Sequence, residues 1–302
     1  MEDLLIRAGC FVAIIILGFV LRRVGFFKEN AFEVLSKVVV KITLPAAVVK
    51  NLSTCSVDAA LLSISALAVL SGVLYMAVAY LTHLKKDRNQ KAFAVLNLPG
   101  FNIGVFALPF VSSFLGASGV LAASLFDLGN SIICLGGSYG IASCIKAGKG
   151  FSLKRIGKAL LTSVPFLTYV VMLIVMSFKL TLPGPVLQLA DIISSGNAFC
   201  AMLMIGVGFK LEANRHQLGQ VAKMIGLRFG IGLALAAVFY FLLPFDADAR
   251  LALALLAVSP VGSAVPGFTR ELGEDTGLSC TIGSVSIICS IVLMVSMLML
   301  TL

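Results

Sequence analysis

Two long apolar segments of this chain are interrupted by proline and glycine, and the interruptions fall at matching places in its two halves. The first reads NLPGFNIGVFALPF, Asn97 to Phe110, and the second SPVGSAVPGF, Ser259 to Phe268. Each sits inside a stretch long enough to cross a bilayer, where a broken helix leaves backbone N–H and C=O groups without water to bond. Such groups are tolerated where they face protein or a polar cavity. Paired interruptions in corresponding spans are the sequence sign of a substrate site in a carrier built from repeated halves.

The membrane assignment rests on composition. Of 302 residues, 59% are hydrophobic and 12% charged, and the mean hydropathy is +1.06, against roughly 25% charged residues in a soluble domain. Apolar runs of the roughly 17 to 25 residues a spanning helix needs recur along the chain. They lie near 4–21, 34–49, 59–82, 92–114, 118–144, 159–178, 185–209, 221–243, 249–270 and 278–301. The net charge of +9 could suggest nucleic acid, but the basic residues follow topology instead. Of 23 Lys and Arg, 17 lie in or beside alternate loops. They are Arg22, Arg23, Lys28 and Lys37; Lys85, Lys86, Arg88 and Lys91; Lys146, Lys149, Lys154, Arg155 and Lys158; Lys210, Arg215 and Lys223; and Arg270. The opposite set holds only Arg7, Lys50, Lys179 and Arg250. By the positive-inside rule the richer loops are cytoplasmic, so both termini are expected outside, in a multi-pass plasma-membrane protein. The acidic start Met1-Glu2-Asp3 lacks the basic region of a cleaved signal, so the first span is expected to be retained.

Five spans, a basic linker over 146–158, then five spans again: an odd number per half turns the second half upside down. The expected domains are therefore 1–145 and 159–302, an all-α integral membrane fold of two inverted five-helix repeats. Spans four and nine correspond, and their breaks cross near mid-depth in an NhaA-like arrangement. Half-helix N-termini directed at the crossing carry roughly half a positive charge each, which suits an anion.

Several segments resemble the auxin efflux carrier family. GFVLRRVGFFKENAFEVLSKVVVKITLPAAVVKNL, Gly18 to Leu52, is similar to that family's opening, with Leu44-Pro45 in the second span. AMLMIGVGFKL, Ala201 to Leu211, and SPVGSAVPGFTRELGEDTGLSCTIGSVSIICSIVL, Ser259 to Leu293, resemble its seventh span and its ninth-to-tenth region. The resemblance implies a scaffold domain and a transport domain holding the crossed helices, in the bile acid/auxin transporter superfamily, and an organic anion as cargo. The short linker resembles the compact microbial members. The chain departs from the family pattern in span four, which reads Asn102-Ile103-Gly104 and Ala107-Leu108-Pro109 after an additional Pro99-Gly100.

The expected substrate contacts are Asn102, Pro99, Gly104 and Pro109 in the first break, Ser259, Pro260, Ser263 and Pro266 in the second, and Asn197, Pro45 and Lys41 nearby. Asn102 can donate to a carboxylate or accept from a freed backbone N–H; the blander reading is that it only satisfies broken backbone. The prolines shape the breaks. A serine in a membrane helix often bonds its own preceding turn. Asp127, with Asn130 one turn on, is the candidate for ion coupling. An acidic side chain at mid-membrane costs about 2.5–3.5 kcal/mol on insertion scales and must face protein or a cavity. Lys41 and Arg228 are its candidate partners, with snorkelling to an interface as the alternative, favoured for Arg228. Asp191 is expected to be interfacial.

Other patterns point away from chemistry. Cys10, Cys55, Cys134, Cys144, Cys200, Cys280 and Cys289 show no C-x-x-C spacing, so neither a disulfide framework nor a zinc site is expected. His83 and His216 are expected to be solvated loop residues. Asp246-Ala247-Asp248 offers too few oxygens for a cation loop and is expected to be a solvated turn. Gly136-Gly137-Ser138-Tyr139-Gly140 matches G-x-S-x-G without its strand-turn-helix context. Gly136 with Gly140, and Gly226 with Gly230, read instead as helix-packing faces. No phosphate-binding loop occurs, so ATP drive and enzymatic cofactors are not expected.

The leading expectation is a secondary carrier of a small organic anion, a mono- or dicarboxylate, coupled to H+ or Na+ and working by alternating access. A sodium-coupled bile-acid-type symporter or a cation/proton antiporter of the same architecture is the alternative within transport. A non-transporting receptor is the alternative outside it. The expected partners are the organic anion and the lipid bilayer, with a homodimer left open and no nucleic acid.

Overall fold

A computed structural model describes residues 2–55, 59–147 and 152–301. Met1 and Lys149, both used above, lie outside the described residues, as does 148–151 of the linker. The helices are α1 (Glu2–Arg23), α2 (Ala31–Val38), α3 (Leu44–Leu52), α4 (Ala59–Thr82), α5 (Arg88–Asn97), α6 (Leu108–Phe114), α7 (Ala117–Ile132) and α8 (Ser138–Ala147). They continue as α9 (Leu153–Thr162), α10 (Val164–Ser177), α11 (Gly184–Ser195), α12 (Asn197–Gly208), α13 (Leu218–Leu242), α14 (Ala247–Ala257), α15 (Val265–Glu271) and α16 (Thr276–Thr301). Among the described residues 6 helices are long and apolar enough to cross a membrane, or 7 if the pair α9 and α10, bent by 78°, is one span. This is an all-α membrane protein. The other expected spans, 34–49, 92–114 and 249–270, are helical in pieces or carry several charges.

Proline explains two of the irregularities. Its ring collides with the carbonyl four residues back and it has no N–H to donate. Before Leu44-Pro45 the helix widens into a π turn over Val39–Thr43, and before Leu108-Pro109 into another over Ile103–Ala107. Both prolines then sit at the start of the next regular helix, where the missing N–H costs nothing.

The sequence linker is partly helical. Ser152 caps α9 by accepting from Arg155 N, and Ile156 from this helix is buried against Gly136. Gly136 thus packs closely, but at a kink rather than on a continuous helix face. Gly226 and Gly230 do not pack within the chain: a Cβ on either would meet open space.

Packing is closest where glycine lets backbones touch. A Cβ on Gly18 would lie 2.4 Å from Leu203 O, and one on Gly206 2.0 Å from Ile15 O, so α1 and α12 meet through reciprocal glycines. Elsewhere α3 packs on α10 and α11, α4 on α5 and α7, α13 on α14 and α16, and α7 on α14. The core centres on α5 and α14: Ala92 to Leu98 and Leu251 to Val258 are buried without interruption. Over those stretches neither helix has a solvated face, so the other helices enclose them there.

Candidate functional site

The two breaks meet. Phe101 and Val261 form an isolated antiparallel bridge, and Asn102 N donates to Pro260 O at 3.0 Å. Phe101 wedges edge-on against Tyr75 and Phe126. At this depth every freed backbone group needs a protein partner.

In the first break Asn130 supplies two partners: Phe101 N donates to its Oδ1 at 3.0 Å, and its Nδ2 donates to Phe101 O at 2.8 Å. In the second break α16 supplies hydroxyls. Val261 N donates to Ser286 Oγ at 3.0 Å, and Ser290 Oγ donates to Val258 O at 2.7 Å. Arg228 of α13 serves both breaks. Its Nη1 donates to Leu98 O at 2.7 Å, and its Nη2 lies 3.0 Å from Gly100 O, 2.8 Å from Ser259 O and 2.9 Å from Pro260 O. The guanidinium also sits over the Tyr75 and Phe101 rings. At 2% exposure it does not snorkel, which corrects the reading favoured above. A chain of carbonyls at depth outweighs the reach to the interface.

Asp127 pairs with neither Lys41 nor Arg228. Its Oδ2 accepts from Tyr169 of α10 at 2.9 Å and its Oδ1 from Asn130 Nδ2 at 3.1 Å, and the carboxylate also accepts the Gly104 N–H. Gly104 is in the first turn of the helix over Ile103–Phe114, so Asp127 caps the positive end of that half-helix. A Cβ on Gly104 would fall 2.7 Å from Leu44 and 3.0 Å from Asp127 Oδ2, which is why glycine is needed there. Lys41 is exposed in its π turn and has no ion pair among the described residues. The half-helix after the second break, α15, has only 7 residues. The two half-helix N-termini are therefore unequal, one long, capped end and one short one.

Asn102 is 5% exposed, and its side-chain amide makes no hydrogen bond among the described residues. The broken backbone is satisfied by Asn130, Arg228 and Ser286 instead, which removes the blander reading of Asn102. Pro99, Pro109, Pro260 and Gly104 are buried, Pro45 and Pro266 half-buried. Ser259 is fully buried and its hydroxyl has no partner among the described residues. Ser263 is exposed. Asn197 starts α12 after Gly196, and its Oδ1 accepts from Thr43 Oγ1 at 2.8 Å, tying the seventh expected span to the second.

Away from the crossing, a cavity of about 490 Å³ is lined by Lys50, Asn51, Ser53, Ser112, Leu187 and Asp191 among others. It lies at the helix ends opposite the basic loops, with an exposed Lys50–Asp191 ion pair at its wall. The Asp246 turn is a helix cap and cross-link: Asp246 accepts from Ala249 N, and Asp248 Oδ2 from Gly116 N at 3.0 Å. The segment is largely solvent-exposed, as expected, and the cap and cross-link are what the structure adds. No group of three or more potential metal ligands occurs among the described residues. His83 is buried: Nδ1 is 2.9 Å from Ala79 O, so it carries the proton, and Nε2 accepts from Lys223 at 3.2 Å. Ser138 donates to Ile133 O at 3.1 Å and is buried inside a helical span.

Sequence reasoning missed Tyr169 and the hydroxyl set of α16. It also missed a buried cluster in which Asn97 Nδ2 donates to Thr269 Oγ1 at 3.2 Å and Thr269 donates to Ser279 at 3.2 Å. The signal for α16 was visible: Ser279, Thr281, Ser284, Ser286 and Ser290 recur in an otherwise apolar run. Comparison with curated proteins gives no match. The family model described as membrane transport protein matches residues 10–145. That match agrees with the resemblance to the auxin efflux carrier family read from the sequence.

Proposed function

We propose that this membrane transporter is a secondary carrier of a small organic anion, a mono- or dicarboxylate. Alternating access takes place around the crossing of its two broken helices. The observation that carries the reading is the Asn102 amide, 5% exposed at the crossing and without a hydrogen bond among the described residues, beside break backbone that Asn130, Arg228 and Ser286 hold. An amide N–H beside a helix N-terminus suits a carboxylate. Asn102 is the principal polar contact, with Asn197 and Ser263 as lesser ones.

Two inverted repeats of five spans are supported by the packing. With α4 matched to α13, α5 to α14, and α7 with α8 to α16, contacts recur in pairs: α4 on α5 and α13 on α14, α4 on α7 and α13 on α16, α6 on α7 and α15 on α16. The α1–α12 and α3–α10 contacts match in the same way. In this arrangement both termini face outward from the plasma membrane.

Coupling runs through Asp127. While charged, it occupies the positive end of the Ile103–Phe114 half-helix that a substrate carboxylate would use. Taking up a proton removes that competing anion, so anion and proton travel together. Tyr169 joins Asp127 across the boundary between the fifth span and the sixth, where the moving and stationary parts of the carrier meet.

Uptake of a panel of labelled mono- and dicarboxylates into proteoliposomes tests this. Saturable uptake that rises with an inward proton gradient and loses that dependence in Asp127→Asn is the expected result. No saturable uptake by the wild type across the panel contradicts it.

A further inference from the structure

Among the described residues Arg228 is the only buried lysine or arginine, and it lies where the backbones of both breaks converge. A buried guanidinium ordinarily sits against a carboxylate, since an unpaired interior charge is strongly destabilising. Here the buried carboxylate of the first break, Asp127, is committed to Tyr169, Asn130 and Gly104. Arg228 makes no ion pair among the described residues; its hydrogen bonds there all go to carbonyl oxygens, and its plane lies over the Tyr75 and Phe101 rings.

Two features of that shell differ from ordinary hydrogen bonding. Nη2 has two hydrogens, yet Gly100 O, Ser259 O and Pro260 O all lie within 3.0 Å of it. More oxygens converge than there are protons to share, as they do around an ion. The oxygens also lie on the unwound backbone just past the C-terminal ends of α5 and α14, each end worth about half a negative charge, so the two together present about one. Carbonyls of unwound backbone at half-helix C-termini are the ligands that hold coupling cations in broken-helix carriers.

We infer that Arg228 is a resident cation: its guanidinium holds the place and charge that a bound sodium ion would otherwise take at this crossing. The crossing therefore requires no sodium. On the carrier reading above, this leaves proton uptake at Asp127 as the coupling step and sets a fixed positive charge beside the anion path.

The test is thermal melting of the purified full-length chain in choline chloride and in sodium chloride at equal ionic strength. The wild type is expected to melt at the same temperature in both, within about 1 °C. Arg228→Ala is expected to melt lower and to regain about 3 °C or more, saturably, on adding sodium or methylguanidinium. Saturable stabilisation of the wild type by sodium, or an Arg228→Ala protein that responds to neither cation, overturns the inference. If Arg228→Ala yields no folded protein, Arg228→Lys and Arg228→Gln decide. Lysine keeps the charge and glutamine keeps donors without it, so the lysine variant must melt higher; equal or reversed order overturns the inference. Melting needs no substrate. Absence of carboxylate uptake by the wild type would remove the carrier reading and leave this result standing or falling by itself.

Discussion

The two breaks look alike in sequence and differ in what serves them. The first is followed by a helix over Ile103–Phe114 whose N-terminus is capped by a carboxylate, and its extended residue Phe101 is held by an amide that bonds it twice. The second is followed by a 7-residue helix, and its backbone is held by serine hydroxyls one bond at a time. Asn130 and Ser286 occupy equivalent places beside Phe101 and Val261. Three residues earlier in each helix stand Asp127 and Gly283, and a Cβ on Gly283 would meet open space. The backbone solution is thus kept at both breaks, and titratable chemistry stands beside one of them.

The largest effect should come from removing the group the breaks share. Arg228→Leu leaves carbonyls of both breaks unpaired, and by analogy with breaking a buried charge network should cost about 3–5 kcal/mol, read as loss of monodisperse protein in detergent. Equal stability would separate the breaks from Arg228 altogether. Asn130→Ala removes both bonds to Phe101 and should cost about 2–3 kcal/mol, whereas Ser286→Ala removes one bond at Val261 and should cost about 1 kcal/mol. Melting temperatures of the two variants side by side check the ratio, and a reversed order would break the comparison. Gly104→Ala should cost about 1–3 kcal/mol by overpacking against Leu44, while a change at Gly283, which faces open space, should cost less.

The smallest expected effect is pH-dependent and lies at the loop end of α4. Burial, aided by the Lys223 and Lys86 charges and opposed by the Ala79 carbonyl, holds His83 below its usual value of 6.5. The folded state thus favours neutral histidine, and its contribution is fully present above the unfolded value. It is lost as pH falls from about 6.5 toward the lower folded value. Melting curves across that range should flatten in His83→Gln.

Much of this was legible in the chain. The broken spans, the run boundaries and the carboxylate at Asp127 follow from apolar length, proline and the cost of charge in lipid. What periodicity cannot convey is which buried group faces which. Arg228 read as a snorkeller because an isolated helix gives a lone cation no partner; its partners are carbonyls 128 to 130 residues away and others 31 to 32 away. His83 read as solvated because loop histidines usually are, and only the packing of α4 beside α13 encloses it. Tyr169 carried no signal, since a single tyrosine in an apolar span is compatible with an interface as readily as with a buried carboxylate.

The most direct measurement compares initial uptake of labelled carboxylates by Asn102→Ala and Ser263→Ala proteoliposomes containing equal folded protein. If the first break carries the substrate contact, Asn102→Ala should lose about tenfold or more, the worth of one hydrogen bond to a charged group, and Ser263→Ala about twofold or less. Wild-type uptake by Asn102→Ala, or equal losses in both variants, would contradict the account.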